Sequence, residues 1–123
     1  AVLPNGARRK VKVKIADPLS CVVMKAIVFR DRGNEKDAYD LYTICKYCPD
    51  GKDRIAEGMR LNMTNKLVQE ALEVLRAEFS SIDSLGPVSV TNFMEETDAT
   101  ARAIRCRDVF EVIQSVLALI SEG

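Results

Sequence analysis

The side chains best placed to do chemistry crowd into "MKAIVFRDRGNEKDAYDLY", residues 24–42. Lys25 stands alone in a run that is otherwise apolar from Cys21 to Phe29, and Asp37 and Asp40 follow one helical turn apart. At about 100° per residue, Ala38, Leu41, Tyr42, Ile44, Cys45 and Cys48 share one side of the second segment. Asp37 falls inside that stripe, Asp40 lies on its flank, and Tyr39, Thr43 and Lys46 face away. A carboxylate and an ammonium on buried faces each need a partner, because burying either charge alone is strongly unfavourable. Two solutions satisfy them. Lys25 and Asp37 pair to fix the register of two helices, with the lysine stem free to reach the surface. Alternatively they form a phosphate site, in which the lysine supplies positive charge and a carboxylate positions it, acts as base or binds metal. Arg30 and Arg32 would reinforce such a site, or simply end their helix as solvated charges.

The elements that must hold these groups are legible in the pattern. "RRKVKVKIAD" alternates, with Val11, Val13 and Ile15 on one face and Lys10, Lys12 and Lys14 on the other, which predicts a strand with one buried face. Asn5-Gly6 before it is a turn signal, so a hairpin is possible there. Lysines along one face suit a sheet edge, and a single strand needs partners from elsewhere. Asp17-Pro18 predicts an N-cap and first helical residue, with the helix running to about Arg32 and stopping at Gly33. Further helices are predicted over about 35–47, about 52–61 (weakened by Gly58), and about 65–79, capped by Thr64. A short one opens at Pro87 and runs through Met94. The last starts at Asp98 and runs to about Ser121. The fold class expected is mainly α: one N-terminal edge strand followed by a bundle of five to six helices. The tight connection at Gly33 makes the first two helices antiparallel neighbours.

The chain has 123 residues, the size of one domain, with a strand region over 1–16 and a helical region over 17–123. Its formal net charge is zero, but residues 1–32 carry eight Lys/Arg against two Asp/Glu, whereas residues 33–123 carry ten against sixteen. The basic part either complements the acidic part or faces a polyanion. No apolar run approaches the ~20 residues needed to span a bilayer. No charged-then-apolar leader stands at Ala1, so a cytoplasmic protein without membrane contact is expected. There is no histidine, which removes the usual general base. Cys45 and Cys48 form C-x-x-C and could join Cys21 and Cys106 in a four-thiolate zinc site, but all four lie in helical apolar patterns. Core packing is the expectation for them, with no metal ligands.

"VKIADPLSCVVMKAIVFRDRGNEKDAYDLYTI" resembles the C-terminal motif region of the AbiEii/AbiGii toxin-type nucleotidyltransferases. That family shows a strand, a "P-x-x-x-x-x-x-K" helix, an R-G turn and a "K-D-x-x-D-L" helix. Lys25, Arg32-Gly33, Lys36-Asp37 and Asp40-Leu41 match those positions, over about residues 11–45. The resemblance implies Lys25 and Asp37 as catalytic residues, with Arg32, Lys36 and Asp40 around the substrate, where neighbouring Arg30 would join them. It also implies a fold akin to DNA-polymerase-β-type transferases, two-metal magnesium chemistry, and transfer from an NTP onto an acceptor such as tRNA or protein. Many members of this bacterial-type family are toxins beside a cognate antitoxin.

The departure is as informative. The family's "G-S…D-x-D" segment holds the phosphates and metals, yet this sequence has neither a Gly-Ser pair nor an Asp-x-Asp triplet. The expectation is the C-terminal portion of a longer protein, inactive alone, with magnesium required only where the whole site is assembled. Two other classes remain. One is a non-catalytic helical interaction module in which Lys25 and Asp37 form a structural pair. The other is a nucleic-acid module that uses Arg8, Arg9, Lys10, Lys12 and Lys14 as a phosphate stripe, though no aromatic alternates with them. Exposed Val11, Val13 and Ile15 would also permit a homodimer through strand pairing.

Overall fold

The computed structural model describes residues 18–122. They form six helices: α1 (Pro18–Arg32), α2 (Glu35–Tyr47), α3 (Gly51–Leu61), α4 (Lys66–Glu78), α5 (Leu85–Phe93) and α6 (Ala99–Glu122). The expected strand at residues 10–16, and any hairpin before it, lie outside the described residues. Among the described residues none of the helices is long and apolar enough to cross a membrane.

The helix boundaries follow local chemistry. Gly33 adopts a φ of +64°, the left-handed conformation that ends α1, and its N–H donates to the Phe29 carbonyl at 2.8 Å. Asn34 then caps α2, its side chain accepting from the Lys36 N–H at 2.9 Å. This two-residue connection turns the chain back and lays α2 against α1. Asn65, rather than Thr64, caps α4: its side-chain oxygen accepts from the amides of Leu67 and Val68 at 2.8 and 3.3 Å. An extended Asn at that position offers its carbonyl to two orphan N–H groups at once. Helix α5 begins at Leu85, before Pro87. A proline within the first turn gives up only an N–H that has no helical partner there. Asp98 caps α6 by accepting from the Ala101 N–H at 2.9 Å.

The core sits where α1, α2, α3 and α6 meet, with α4 packed on α1 and α5 wedged between α2 and α6. Tyr42, Phe29, Phe79, Leu41, Ile55, Met59, Leu75 and Ile113 are its largest fully buried side chains, each worth roughly 1.5–3 kcal/mol of burial. Phe29 and Phe79 lie 6.4 Å apart between ring centroids. Gly58 and Gly86 both admit close neighbours. A Cβ on Gly86 would stand 2.4 Å from the buried Phe79 ring, whereas one on Gly58 would meet the flexible end of Leu19 at 2.7 Å.

The two sites therefore respond differently to alanine. Gly86→Ala should destabilise by about 2 kcal/mol or more, because the Phe79 ring has no room to move. Gly58→Ala should stay within about 1 kcal/mol of wild type, since gained helix propensity offsets the shift of Leu19. Urea unfolding midpoints with an unchanged slope would establish both.

Candidate functional site

The antiparallel packing of α1 and α2 brings Lys25, Arg32, Lys36, Asp37 and Asp40 into one cluster. Asp37 is the most deeply placed, only 1% exposed. Arg32 reaches across the Gly33 turn and grips it with a fork: Nε donates to Oδ2 at 3.1 Å and a terminal nitrogen donates to Oδ1 at 3.4 Å. Lys25 Nζ lies 2.8 Å from Asp40 Oδ2 and 3.5 Å from Asp37 Oδ1. Lys36 Nζ donates to the same Asp40 oxygen at 3.0 Å, one turn along its own helix.

Asp37 is gripped chiefly by Arg32, whereas Asp40 is shared by Lys25 and Lys36, with Lys25 the nearer. Lys25 also approaches Asp37, and with three cations to two carboxylates the cluster carries one positive charge in excess. Its side chain keeps 34% of its surface in solvent, so the ammonium is reachable from outside although its stem is packed. The hydrogen bond to Asp40 raises the Lys25 pKa above its ordinary value despite the opposing effect of burial. Burial would raise the Asp40 pKa, but hydrogen bonds from Lys25 and Lys36 outweigh it and hold the carboxyl below the usual range.

Arg30, expected beside this cluster, is not brought into it. It projects toward α4, where a terminal nitrogen donates to Glu70 Oε1 at 2.9 Å, while Nε donates to Asp31. At 100° per residue, positions 25 and 32 share a face of α1 from which position 30 is displaced.

The side of α2 expected to face away is also occupied. Tyr39 packs on Phe93 of α5 with ring centroids 4.8 Å apart. Lys46 pairs with Asp108 of α6, and Tyr42 donates its hydroxyl proton to the same carboxylate. The Tyr42 oxygen accepts from Lys46 Nζ at 3.2 Å and from Arg105 at 3.0 Å, and Arg105 Nε donates to Glu96 at 2.7 Å. Burial and the Asp108 carboxylate push the phenol pKa up. Asp108 is held below the usual carboxylate range, because the Lys46 and Tyr42 hydrogen bonds outweigh its burial. The network borders an open cleft of about 380 Å³. The spacing of Tyr42 and Lys46 on α2 was the sole hint of it in the sequence, since Asp108 lies 66 residues away from Tyr42.

The two carboxylates of the α1–α2 cluster do not suit a metal by themselves. Three cations face them, and among the described residues no group of three or more His, Cys, Asp or Glu is arranged to hold an ion. The cysteines are unbridged and spread over α1, α2, the α2 end and α6. Burial pushes the Cys45 thiol up to about 12, which makes it an inert core group. The cluster's excess charge is positive, with three cations to two carboxylates. No family model, curated protein or solved structure matches this chain.

The pH response of Asp40 gives a direct check. Its pKa in the folded state lies below the ordinary value of 3.8, so its contribution to stability is full above that value and is lost as pH falls through the folded one. The stability gap between wild type and Asp40→Asn should be constant around neutrality and narrow once the pH drops below about 4. A gap that widened on acidification would reverse the sign. Tyr42→Phe should cost about 1 kcal/mol in unfolding free energy, since Lys46 still satisfies Asp108.

Proposed function

We propose that this chain is the helical C-terminal part of a nucleotidyltransferase of the AbiEii/AbiGii toxin type and supplies the cationic half of an NTP site. One observation carries the reading. The residues that match the family's lysine and "K-D-x-x-D" positions converge in space, in a cluster whose three cations face two carboxylates and leave one positive charge in excess. A part-exposed ammonium held by two carboxylates, in a cluster of net positive charge, suits the phosphates of a nucleotide. Asp37, fixed by Arg32, positions that ammonium. Lys36 and Asp40 complete the cradle, and Arg30 is left to its α4 contact.

Magnesium and the residues that bind it belong, on this reading, to a Gly-Ser and Asp-x-Asp segment that this sequence does not contain. The cluster would neutralise phosphate charge beside that segment, and metals held by that segment would supply Lewis-acid stabilisation of the transferring phosphoryl group. The acceptor would be a tRNA or a protein, and an antitoxin would oppose the activity in a bacterial-type cytoplasm. A non-catalytic helical interaction module is the second reading. It is favoured by the fact that every charge in the cluster already has a partner within the bundle.

The test begins with the coding sequence around this chain. A Gly-Ser…Asp-x-Asp segment in frame is expected. Titration of NTP with magnesium into the protein that carries both segments should then show binding that Lys25→Ala abolishes. The same variant should lose only about 1 kcal/mol of stability, because both carboxylates remain paired. Unchanged NTP affinity in Lys25→Ala would refute the reading. A loss of about 3–5 kcal/mol in its stability would support the structural pair instead.

A further inference from the structure

The cleft of about 380 Å³ beside the Tyr42 network lies between the end of α2, the α5–α6 turn and the first half of α6. Its lining is Lys46, Glu96, Ala101, Ile104, Arg105 and Asp108: two cations, two carboxylates and two apolar side chains. Small-molecule sites usually enclose roughly 300–1,000 Å³, so the volume suits a small ligand. The charged groups are fixed in advance. The oxygen of buried Tyr42 bonds to Lys46, Asp108 and Arg105. Glu96 is held through its backbone: its N–H donates to the Thr91 carbonyl at 3.1 Å, and its carbonyl accepts from Arg102 at 2.8 Å. The residue before it, Glu95, has a φ of +57°, a left-handed conformation that strains any residue bearing a Cβ. That strained turn is what brings the Glu96 carboxylate to Arg105 Nε, 2.7 Å away. These contacts leave bonding capacity over. Among the described residues, Arg105 Nη2 donates no hydrogen bond, and Asp108 Oδ1 and Glu96 Oε2 accept none. The apolar wall is open too, with Ile104 66% exposed and Ala101 one turn before it on α6.

We propose that this cleft binds a free α-amino acid with an apolar side chain. Its carboxylate takes the unused N–H groups of Arg105, its ammonium takes the free oxygens of Glu96 and Asp108, and its side chain lies on Ala101 and Ile104. Charge balance selects this class. A ligand of one sign would meet as many like charges as opposite ones, whereas a ligand carrying both signs meets each with its complement. The planar guanidinium matches a carboxylate in shape, and an ammonium brings three donors to two acceptors. The cationic and anionic groups adjoin, since Arg105 and Glu96 are hydrogen-bonded to each other. That closeness suits an ammonium and a carboxylate on one carbon rather than on the two ends of a long chain. The cleft shares no residue with the α1–α2 cluster, so the proposal does not rest on the nucleotidyltransferase reading.

The experiment is an amide-resolved NMR titration of the full chain with leucine, isoleucine, methionine and phenylalanine at millimolar concentration. At least one is expected to shift the amides of Ala101, Ile104 and Arg105 saturably. The N-acetyl and the carboxamide derivatives of the best ligand each lack one charge and should bind at least tenfold more weakly. Ile104→Ser, at an exposed position, should weaken binding several-fold in a folded chain. Arg105→Lys, which keeps the charge but loses the fork, should weaken it at least tenfold. No saturable shift with any of the four amino acids overturns the proposal. Equal binding of either derivative does so too, and would assign the cleft to a peptide terminus. Undiminished binding in Ile104→Ser likewise overturns it. Arg105 also bonds to Tyr42, so should Arg105→Lys fail to fold, the derivatives and Ile104→Ser decide.

Discussion

The carboxylate of Asp37, placed in the interior of a helical bundle, is the constraint around which α1 and α2 are organised. A buried anion without a partner would destabilise a domain this small by a large share of its total stability. The bundle meets that demand with a guanidinium brought from the end of the preceding helix, in a fork that satisfies both oxygens. That geometry requires the chain to reverse within two residues, so the left-handed Gly33 and the Asn34 cap serve the ion pair as well as the helices. Arg32 holds Asp37, and Lys25 and Lys36 share Asp40, so the cluster has one cation more than neutrality requires.

Helix α2 is then fixed from the other side. Tyr39 stacks on α5, while Tyr42 and Lys46 meet Asp108 and Arg105 of α6. A helix held on both flanks cannot easily rotate, so the carboxylates one turn apart keep their register against α1. The second polar network thus supports the first through the rigidity of a shared helix, although the two clusters have no residue in common.

Much of this organisation was legible in the residues. Apolar spacing and capping chemistry marked all six helices, and the burial of Asp37 followed from its place in the apolar stripe of α2. The start of α5 was displaced because a proline reads as a first helical residue, whereas a third position tolerates it equally well. The buried face of α2 is the one the periodicity marked, with Asp37, Ala38, Leu41, Tyr42 and Cys45 inside. Periodicity does not register what the opposite side meets: Tyr39 stacks on Phe93, and exposed Lys46 pairs with Asp108. The grip of Arg32 and the pairing of Tyr42 with Asp108 depend on a turn conformation and on long-range packing, neither of which spacing along one helix records. Arg30 shows the converse, since proximity in sequence suggested a shared site that the helical twist forbids.

A pair of double-mutant cycles on unfolding free energy probes the division of labour most directly: Arg32→Met with Asp37→Asn, and Lys25→Met with Asp40→Asn. The expected result is a coupling of about 2 kcal/mol for the guanidinium fork on its buried carboxylate, and less than about 1 kcal/mol for the part-exposed lysine. A Lys25–Asp40 coupling as large as the Arg32–Asp37 coupling would contradict the account. It would make the lysine a structural charge with nothing left over for a ligand.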